Sequence, residues 1–222
     1  MMIRNQDGML ILSRMIKAIQ DNKAYLGEID GLIGDGDHGM NMNKGFSLFE
    51  SRFSGKQLTF AEGLNELASI LFNEIGGSMG PIYSTVFFAM AEHCPEDAIT
   101  LTDFSDMMAA ALNELYDIVE ARPGDKTLVD TLSPVVNSLI EDDAKATRFA
   151  EALEHMKEAA EAGWQSTKDM VAVHGRSSRL GERSRGVLDA GATSCWLLIE
   201  AMADGMIACL TEEKDHEACI RL

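Results

Sequence analysis

Three aspartates and a histidine form the cluster of this sequence with the clearest potential for chemistry. Asp30, Asp35 and Asp37 lie within eight residues, interspersed with glycines that let the backbone turn sharply, and His38 follows. Converging carboxylates repel one another unless a cation lies between them, and Mg²⁺ accepts their oxygens while keeping sites for phosphate oxygens. The cluster therefore indicates a metal site for a nucleotide, although Asp and Gly also form ordinary solvated turns. His38 could contact a phosphate or relay a proton, or it could be a solvated or locally hydrogen-bonded side chain.

The same segment does not fit three well-known ligand-binding motifs. Gly34–Gly39 has the spacing of a dinucleotide fingerprint, but no strand precedes it. Read as a Walker A loop, it has Met40 and Asn41 where the phosphate-binding Lys and the Ser/Thr are required. An EF-hand starting at Asp35 would have Phe46 in place of its bidentate Glu. The carboxylates are therefore interpreted as ligands of Mg²⁺ rather than as part of these motifs.

Two further segments resemble the starts of helices that bind anions. Residues 76–81, GGSMGP, precede an apolar stretch and place Pro81 at the first position of a helix, whose exposed amides suit a phosphate. Close helix packing is the alternative interpretation of these glycines. In the second segment, Lys126 could reach a phosphate, whereas Thr127 or Asp125 could only cap the following helix.

A basic cluster stands out in an otherwise acidic chain. It consists of Arg176, Arg179, Arg183 and Arg185. These side chains could steady phosphates or dock an acidic partner. The alternative interpretation is that these arginines are solvated side chains on a loop and bind no ligand or partner.

Apolar residues at three- and four-residue spacing predict the helices that must position these segments. The predicted helices cover residues 9–26, 60–75, 81–93, 104–119, 128–140, 144–173 and 191–210, and a shorter helix follows Asn41. Thr59 and Glu62 have the spacing of a capping box. No run of alternating β-branched residues is present, so the sequence predicts an all-α domain of about eight helices without strands.

Composition restricts the class of protein and its partners. A chain of 222 residues with 46% apolar and 25% charged residues predicts a single folded domain over residues 1–222, with the polar last dozen residues frayed. The net charge of −17 disfavours nucleic acid and anionic membranes as partners, so a nucleotide would need cations. Four widely spaced cysteines indicate reduced cytoplasmic thiols. Apolar stretches such as residues 195–199 are shorter than the roughly 20 residues of a membrane span.

Four segments together resemble a known family, the L subunits of bacterial dihydroxyacetone kinases. They are GEIDGLIGDGDHGMNMNKGF from residue 27, GGSMGP from 76, PGDKTLVD from 123 and GRSSRLGERSRGVLDAGATS from 175. The segments agree with the family in order and approximate spacing, and they span most of the chain. His38 favours this family over the related fatty acid kinases, which have threonine there.

The resemblance implies a barrel of eight antiparallel helices that binds ADP or ATP at one end through two Mg²⁺ ions, without a covalent nucleophile. The implied Mg²⁺ ligands are Asp30, Asp35 and Asp37. The implied nucleotide contacts are His38, Gly39, Met40, Asn41, Ser78, Met79, Leu128, Arg176, Asp189, Ala190 and Gly191.

The resemblance also implies a reaction and partners. The subunit would pass the γ-phosphoryl group of ATP to dihydroxyacetone held on a separate K subunit, and a phosphohistidine on an M subunit would rephosphorylate the bound ADP. The chain could also form a homodimer. The alternatives are an ATP-dependent kinase subunit for another short ketose, with freely exchanging ATP, and a nucleotide-sensing module that docks through residues 176–185. A structural helical domain whose acidic segment is a turn is the remaining hypothesis.

Overall fold

The fold consists of eight α-helices and a two-stranded sheet. The computed structural model describes residues 2–220, with side chains as far as Leu210. The helices are α1 (Gly8–Ile33), α2 (His38–Phe53), α3 (Phe60–Glu74), α4 (Met79–Glu92), α5 (Leu101–Ile118), α6 (Val129–Ala144), α7 (Phe149–Ser166) and α8 (Ala190–Ile220). The strands are β1 (Ile3–Arg4) and β2 (Ala98–Ile99). Short 3₁₀ helices cover Asn5–Asp7, Thr167–Asp169 and Ser177–Ser184.

The helices pack in chain order. Each contacts the next one along the chain, and α8 returns to pack against α1. The inward faces form one apolar core that draws on all eight helices. The prediction of an all-α single domain is thereby confirmed.

The expectation of a strand-free domain was wrong. β1 pairs antiparallel with β2, with Ile3 opposite Ile99 and Arg4 opposite Ala98. Both isoleucine side chains are buried. Strands of two residues are too short to show an alternating pattern in the sequence, so only the pairing across the fold reveals them.

Helix α1 continues seven residues past its predicted end at Leu26 and reaches Ile33, so Asp30 lies on a helix rather than in a loop. Gly36 takes a positive φ of 77° in the turn between α1 and α2, whereas Gly39 allows close approach of the two backbones. A Cβ on Gly39, in the first turn of α2, would lie 2.0 Å from the carbonyl oxygen of Lys23 and 2.8 Å from the amide nitrogen of Gly27 on α1. Only a residue without a Cβ lets α2 pack this tightly on α1.

The predicted helix over residues 144–173 was too long. Helix α6 runs to Ala144, Ala146 takes a positive φ of 54°, and α7 begins at Phe149. The apolar spacing continues across this tight turn, which explains the error. At the other end of the chain, α8 is described to Ile220, ten residues beyond the predicted end at residue 210. The side chains of the last dozen residues lie outside the described part of the chain, so the predicted fraying there stays a prediction.

Two helix starts also differ from the prediction. Helix α2 begins at His38 rather than after Asn41, and α4 begins at Met79, so Pro81 is its third residue. Proline fits anywhere in the first turn because amides there have no intrahelical acceptor. The capping box of Thr59 and Glu62 is confirmed at the start of α3.

One stretch of α8, Ala190–Leu210, is long and apolar enough to pass for a membrane span, contrary to the expectation that all apolar stretches are too short. However, 72% of that window is buried inside the protein, as in the core helix of a helical bundle. Cys94 and Cys195 are free thiols, in agreement with the prediction, while the side chain of Cys219 lies outside the described part.

Candidate functional site

The starts of the even-numbered helices border a cavity of about 690 Å³. Residues at the first turns of α2, α4 and α8 and at the N-cap of α6 line it, together with the last turn of α1 and the segment that follows α5. In a bundle whose neighbouring helices run in opposite directions, every second helix begins at the same end of the bundle. The positive ends of four helix dipoles therefore face this cavity, which suits an anionic ligand.

The three predicted metal ligands converge on one side of the cavity. Carboxylate oxygens of Asp30, Asp35 and Asp37 lie within 4.8 Å of one another. Asp30 is in the last turn of α1, and its Oδ2 also accepts a hydrogen bond from the amide of His38 at 3.3 Å. A cluster of hard oxygen donors at the wall of a cavity fits Mg²⁺ and leaves room for phosphate oxygens.

The charge of this cluster is partly balanced by Arg176. Its guanidinium contacts the carboxylate of Asp35 across the cavity from the loop between α7 and α8. Both side chains are partly solvent-accessible, so the ion pair is readily exchanged for other partners. Arg176 thus lies where it can neutralise either a carboxylate or a phosphate.

His38 is half-buried and forms a hydrogen bond to a side chain of α8. Its Nε2 lies 2.8 Å from Oγ of Ser194 on α8. Burial lowers the pKa of His38 to about 4, and the negative charge of Asp37 opposes this shift. The lowered pKa favours the neutral imidazole, and the hydrogen bond to Ser194 agrees with the interpretation of a locally hydrogen-bonded side chain.

A further carboxylate, that of Asp189, lines the cavity at the start of α8. The Oδ2 of half-buried Asp189 accepts a hydrogen bond from the amide of Ala192 at 2.8 Å. Burial raises the pKa of Asp189 to about 6. A Cβ on Gly191 would lie 3.0 Å from Asp189 Oδ2, so a residue larger than glycine would crowd this carboxylate.

Most of the predicted site residues come together around the cavity. The lining includes Asp30, Asp35, Asp37, His38, Asn41, Ser78, Met79, Leu128, Arg176, Asp189, Ala190 and Gly191. Gly39 and Met40 are not in the lining: Gly39 is buried against α1, and the side chain of Met40 is 62% exposed. Successive residues of a helix point about 100° apart, so His38 and Asn41 share the inner face of α2 and the two residues between them do not.

Several lining residues were missed by the sequence analysis. They are Ile82, Tyr83, Val119, Glu120, Ala121 and His174. Ile82 and Tyr83 lie one helical turn beyond the GGSMGP segment, and this spacing could have indicated them. The others lie in connecting segments without a distinctive pattern.

Lys126 does not extend into the cavity as a free cation. It is 1% exposed and takes a positive φ of 62°. Its Nζ donates to the carbonyl oxygens of Thr167 at 2.6 Å and Val187 at 2.5 Å. These carbonyls lie at the two ends of the loop that carries Arg176, so Lys126 ties these ends together. Lys126 also lines the cavity, and its contact with a phosphate stays a prediction.

Neither Asp125 nor Thr127 is the N-cap of α6, which is Leu128. Asp130 instead folds this loop, because its carboxylate accepts hydrogen bonds from the amides of Gly124 at 2.5 Å and Thr127 at 2.7 Å. Thr127 still binds one amide at the helix start, because its Oγ1 accepts a hydrogen bond from the amide of Val129 at 3.2 Å. The carboxylate of Asp125 instead accepts from the amide of Arg122 at 2.8 Å, so it does not cap α6.

The basic cluster separates in the structure. Arg176 lines the cavity, whereas Arg185 pairs with Glu182 at 3.0 Å and donates to the carbonyl oxygen of Asp169. The 3₁₀ segment Ser177–Ser184 holds the intervening arginines outside the cavity lining. Nearby His174 contacts Asp125 at 3.2 Å.

The fold and the site define a class of protein: an all-α domain in which helix starts and a carboxylate cluster surround a cavity of about 690 Å³. Residues 32–204 match the DAK2 domain. The chain is 35% identical to the ADP-binding subunit DhaL of PEP-dependent dihydroxyacetone kinase 1 of Listeria innocua, over 83% of this chain and 88% of that protein. It is 36% identical to the ADP-binding subunit DhaL of the PTS-dependent dihydroxyacetone kinase of Lactococcus lactis, over 87% of this chain and 93% of that protein.

The fold is also similar to a solved structure, the dihydroxyacetone kinase from C. freundii in complex with AMP-PNP and Mg²⁺. The TM-score is 0.65 at 21% identity, and the match covers 87% of this chain and 33% of that one. The chain thus spans about a third of the length of this structural neighbour. The chain belongs to the DAK2-domain family, in the group of ADP-binding DhaL subunits of dihydroxyacetone kinase, as the sequence resemblance predicted.

Proposed function

We propose that this chain is the nucleotide-binding, phosphoryl-transferring subunit of a dihydroxyacetone kinase. The observation that carries the proposal is the meeting of three carboxylates with four helix starts around a cavity of about 690 Å³. Its DhaL relatives are named ADP-binding subunits, which agrees with an adenine nucleotide as ligand. The packing order of the helices supports the closed antiparallel barrel that this family implies.

The residues divide into two roles at the phosphates. Asp30, Asp35 and Asp37 would hold two Mg²⁺ ions, which neutralise the phosphate charge and align the γ-phosphoryl group when bound. Amides at the helix starts, with Arg176, would donate to phosphate oxygens. Phosphoryl transfer needs mainly alignment and charge neutralisation, so no nucleophile on this chain is required.

Two partner subunits complete the proposed reaction. A K subunit would present dihydroxyacetone, whose hydroxyl oxygen takes the γ-phosphoryl group from ATP and leaves ADP on this chain. A phosphohistidine on an M subunit would then rephosphorylate that ADP. The PEP- and PTS-dependent names of the DhaL relatives favour this scheme over a freely exchanging ATP.

Isothermal titration of the purified chain with ADP, with and without Mg²⁺, tests the binding step. We expect tight binding that depends on Mg²⁺, because the net charge of −17 repels a bare nucleotide. Binding that is absent, or equal without Mg²⁺, would contradict the proposal. Retention of ADP through prolonged dialysis would support rephosphorylation in place, whereas rapid exchange would favour ATP as an ordinary substrate.

A further inference from the structure

Three hydrogen-bonded side chains tie together the starts of three helices around the cavity. His38 is the first residue of α2, and Tyr83 and Ser194 lie one turn into α4 and α8. Ser194 Oγ is the centre of the group: it lies 2.6 Å from Tyr83 Oη, 2.8 Å from His38 Nε2 and 3.1 Å from the carbonyl oxygen of Gly191. Tyr83 Oη also donates to the Gly191 carbonyl at 3.2 Å.

The trio connects helices that otherwise have little direct contact. Helices α2, α4 and α8 pack mainly against other helices, such as α1, α3, α5 and α7, rather than against one another. Their starts nevertheless have to keep a defined spacing, since all three border the same cavity. Side-chain hydrogen bonds across the end of the bundle can set that spacing where backbone packing does not.

Burial makes these hydrogen bonds hard to replace with water. Ser194 is 0% exposed and Tyr83 is 4% exposed. A buried polar group that loses its partner bears the full cost of desolvation, so the three groups favour the single arrangement in which all are paired. Burial also raises the pKa of Tyr83 well above its usual value, so its hydroxyl remains a donor.

We propose that Tyr83 and Ser194 are positioning residues that lock the starts of α2, α4 and α8 relative to one another. Through His38 they would fix the neighbouring Asp37 carboxylate, and through the Gly191 carbonyl they would fix the first turn of α8. The consequence for nucleotide binding rests on the proposed function, whereas the locking of the helices does not. Neither hydroxyl needs to touch the ligand for this role.

Hydrogen exchange of the ligand-free protein tests the locking directly. The variants are Tyr83→Phe and Ser194→Ala, which each remove one hydroxyl. Ser84→Ala is the matched control, because the buried Ser84 hydroxyl donates within α4, to the carbonyl of Pro81 at 3.0 Å. In both test variants we expect the hydrogen-bonded amides at the starts of α2 and α8, such as those of Asn41 and Thr193, to exchange about threefold to tenfold faster, the equivalent of one net hydrogen bond. Exchange equal to that of Ser84→Ala would overturn the proposal.

Affinity for Mg²⁺-ADP provides the second readout. We expect about threefold to tenfold weaker binding in each test variant and a double variant much less affected than the product of the two single effects, because both hydroxyls belong to one unit. Weaker binding with unchanged exchange would instead mean direct ligand contacts and would reject a positioning role. If the wild-type chain does not bind Mg²⁺-ADP, the proposed function fails, and the exchange rates still decide whether the trio locks the helices.

Discussion

At the scale of one residue, Asp37 is an exposed carboxylate at the start of α2. It is the N-cap of α2, yet its side chain accepts no capping hydrogen bond there. It is also exposed, so no apolar packing depends on it. Its carboxylate oxygen lies within 4.8 Å of those of Asp30 and Asp35.

We therefore expect Asp37→Asn to weaken Mg²⁺-dependent ADP binding by at least about tenfold while the helical circular dichroism stays unchanged. The physical reason is the loss of an anionic metal ligand that serves no structural contact. Titration calorimetry measures the effect, with Asp106→Asn, an exposed aspartate of α5, as control. Wild-type affinity in Asp37→Asn would reject its assignment as a metal ligand.

A second residue-scale prediction concerns His155 on α7. Its Nδ1 lies 2.9 Å from Asp142 Oδ2, and this hydrogen bond, with the negative charge, raises the pKa of His155 above its usual 6.5. A histidine whose pKa rises on folding stabilises the protein fully below the unfolded pKa, and the contribution disappears as the pH rises through the folded pKa. The side chain is 44% exposed, so the effect is small.

We expect His155→Gln to lower the melting temperature more at roughly pH 5.5 than at roughly pH 8.5. Thermal melts of the variant and the wild type at both pH values measure this difference. His93→Gln is the control, because its Nδ1 contacts the carbonyl oxygen of Ala89 rather than a carboxylate. An equal effect of His155→Gln at both pH values would mean that the pair with Asp142 does not form in solution.

At the scale of elements, the site depends on how closely α2 approaches α1. Asp30 lies on α1, Asp35 and Asp37 lie in the short turn before α2, and Gly39 is where the backbones of the two helices meet. We expect Gly39→Ala to destabilise the protein by about 1–3 kcal/mol, because the added methyl group would overlap the Lys23 carbonyl.

Gly31→Ala is the matched control for Gly39→Ala. Its Cβ would be 3.9 Å from the nearest atom, the Cα of Gly36, which is ordinary contact. Alanine is favoured over glycine in a helix by about 1 kcal/mol, so this variant is expected to be neutral or slightly more stable. Urea unfolding compares the two, and equal stabilities would show that the helices separate easily.

The loop between α7 and α8 depends on Lys126, which bonds to both of its ends. We expect Lys126→Met to expose this loop and to increase the rate of trypsin cleavage after its arginines by about tenfold, because two hydrogen bonds from a charged donor are lost. Methionine keeps a similar length and the same backbone strain at a positive φ. The exposed Lys168→Met, at the edge of the loop, is the control, and equal cleavage of the two variants would contradict the anchoring role.

At the scale of the whole molecule, the cavity joins helices that are far apart in the chain. A ligand that contacts the starts of α2, α4, α6 and α8 is bound by the folded state and not by the unfolded chain. We expect Mg²⁺-ADP at about 100 times its dissociation constant to stabilise the protein by about 2.7 kcal/mol. For a domain of this size, that corresponds to a rise in melting temperature of about 5–10 °C.

Differential scanning fluorimetry measures the melting temperature with ADP alone, with Mg²⁺ alone, with both and with neither. The four values separate the contribution of the nucleotide to stability from that of the metal ion. ADP in the presence of EDTA is expected to leave the melting temperature nearly unchanged, since the acidic protein repels an uncompensated nucleotide. An equal rise with ADP alone would show that the carboxylates are not needed to bring the nucleotide in.

The sequence by itself determined the helical class, the carboxylate cluster and most of the residues around the cavity. Helix periodicity and the Asp and Gly spacing are local properties, so they can be read without knowing how the chain folds. Residues on one turn, such as Asp35 and Asp37, had to be close because few bonds separate them. The segment resemblance added the distant Arg176 and Asp189, although it could not show how they meet.

Only the tertiary structure decided which side chains turn inward and what they contact there. It bonded the Lys126 ammonium to two carbonyls and placed His38 against Ser194, 156 residues away in the chain. It also revealed Tyr83 as part of the same wall. These contacts join helices that are adjacent at one end of the bundle and distant in sequence, so their partners depend on the packing of the whole chain rather than on any local pattern.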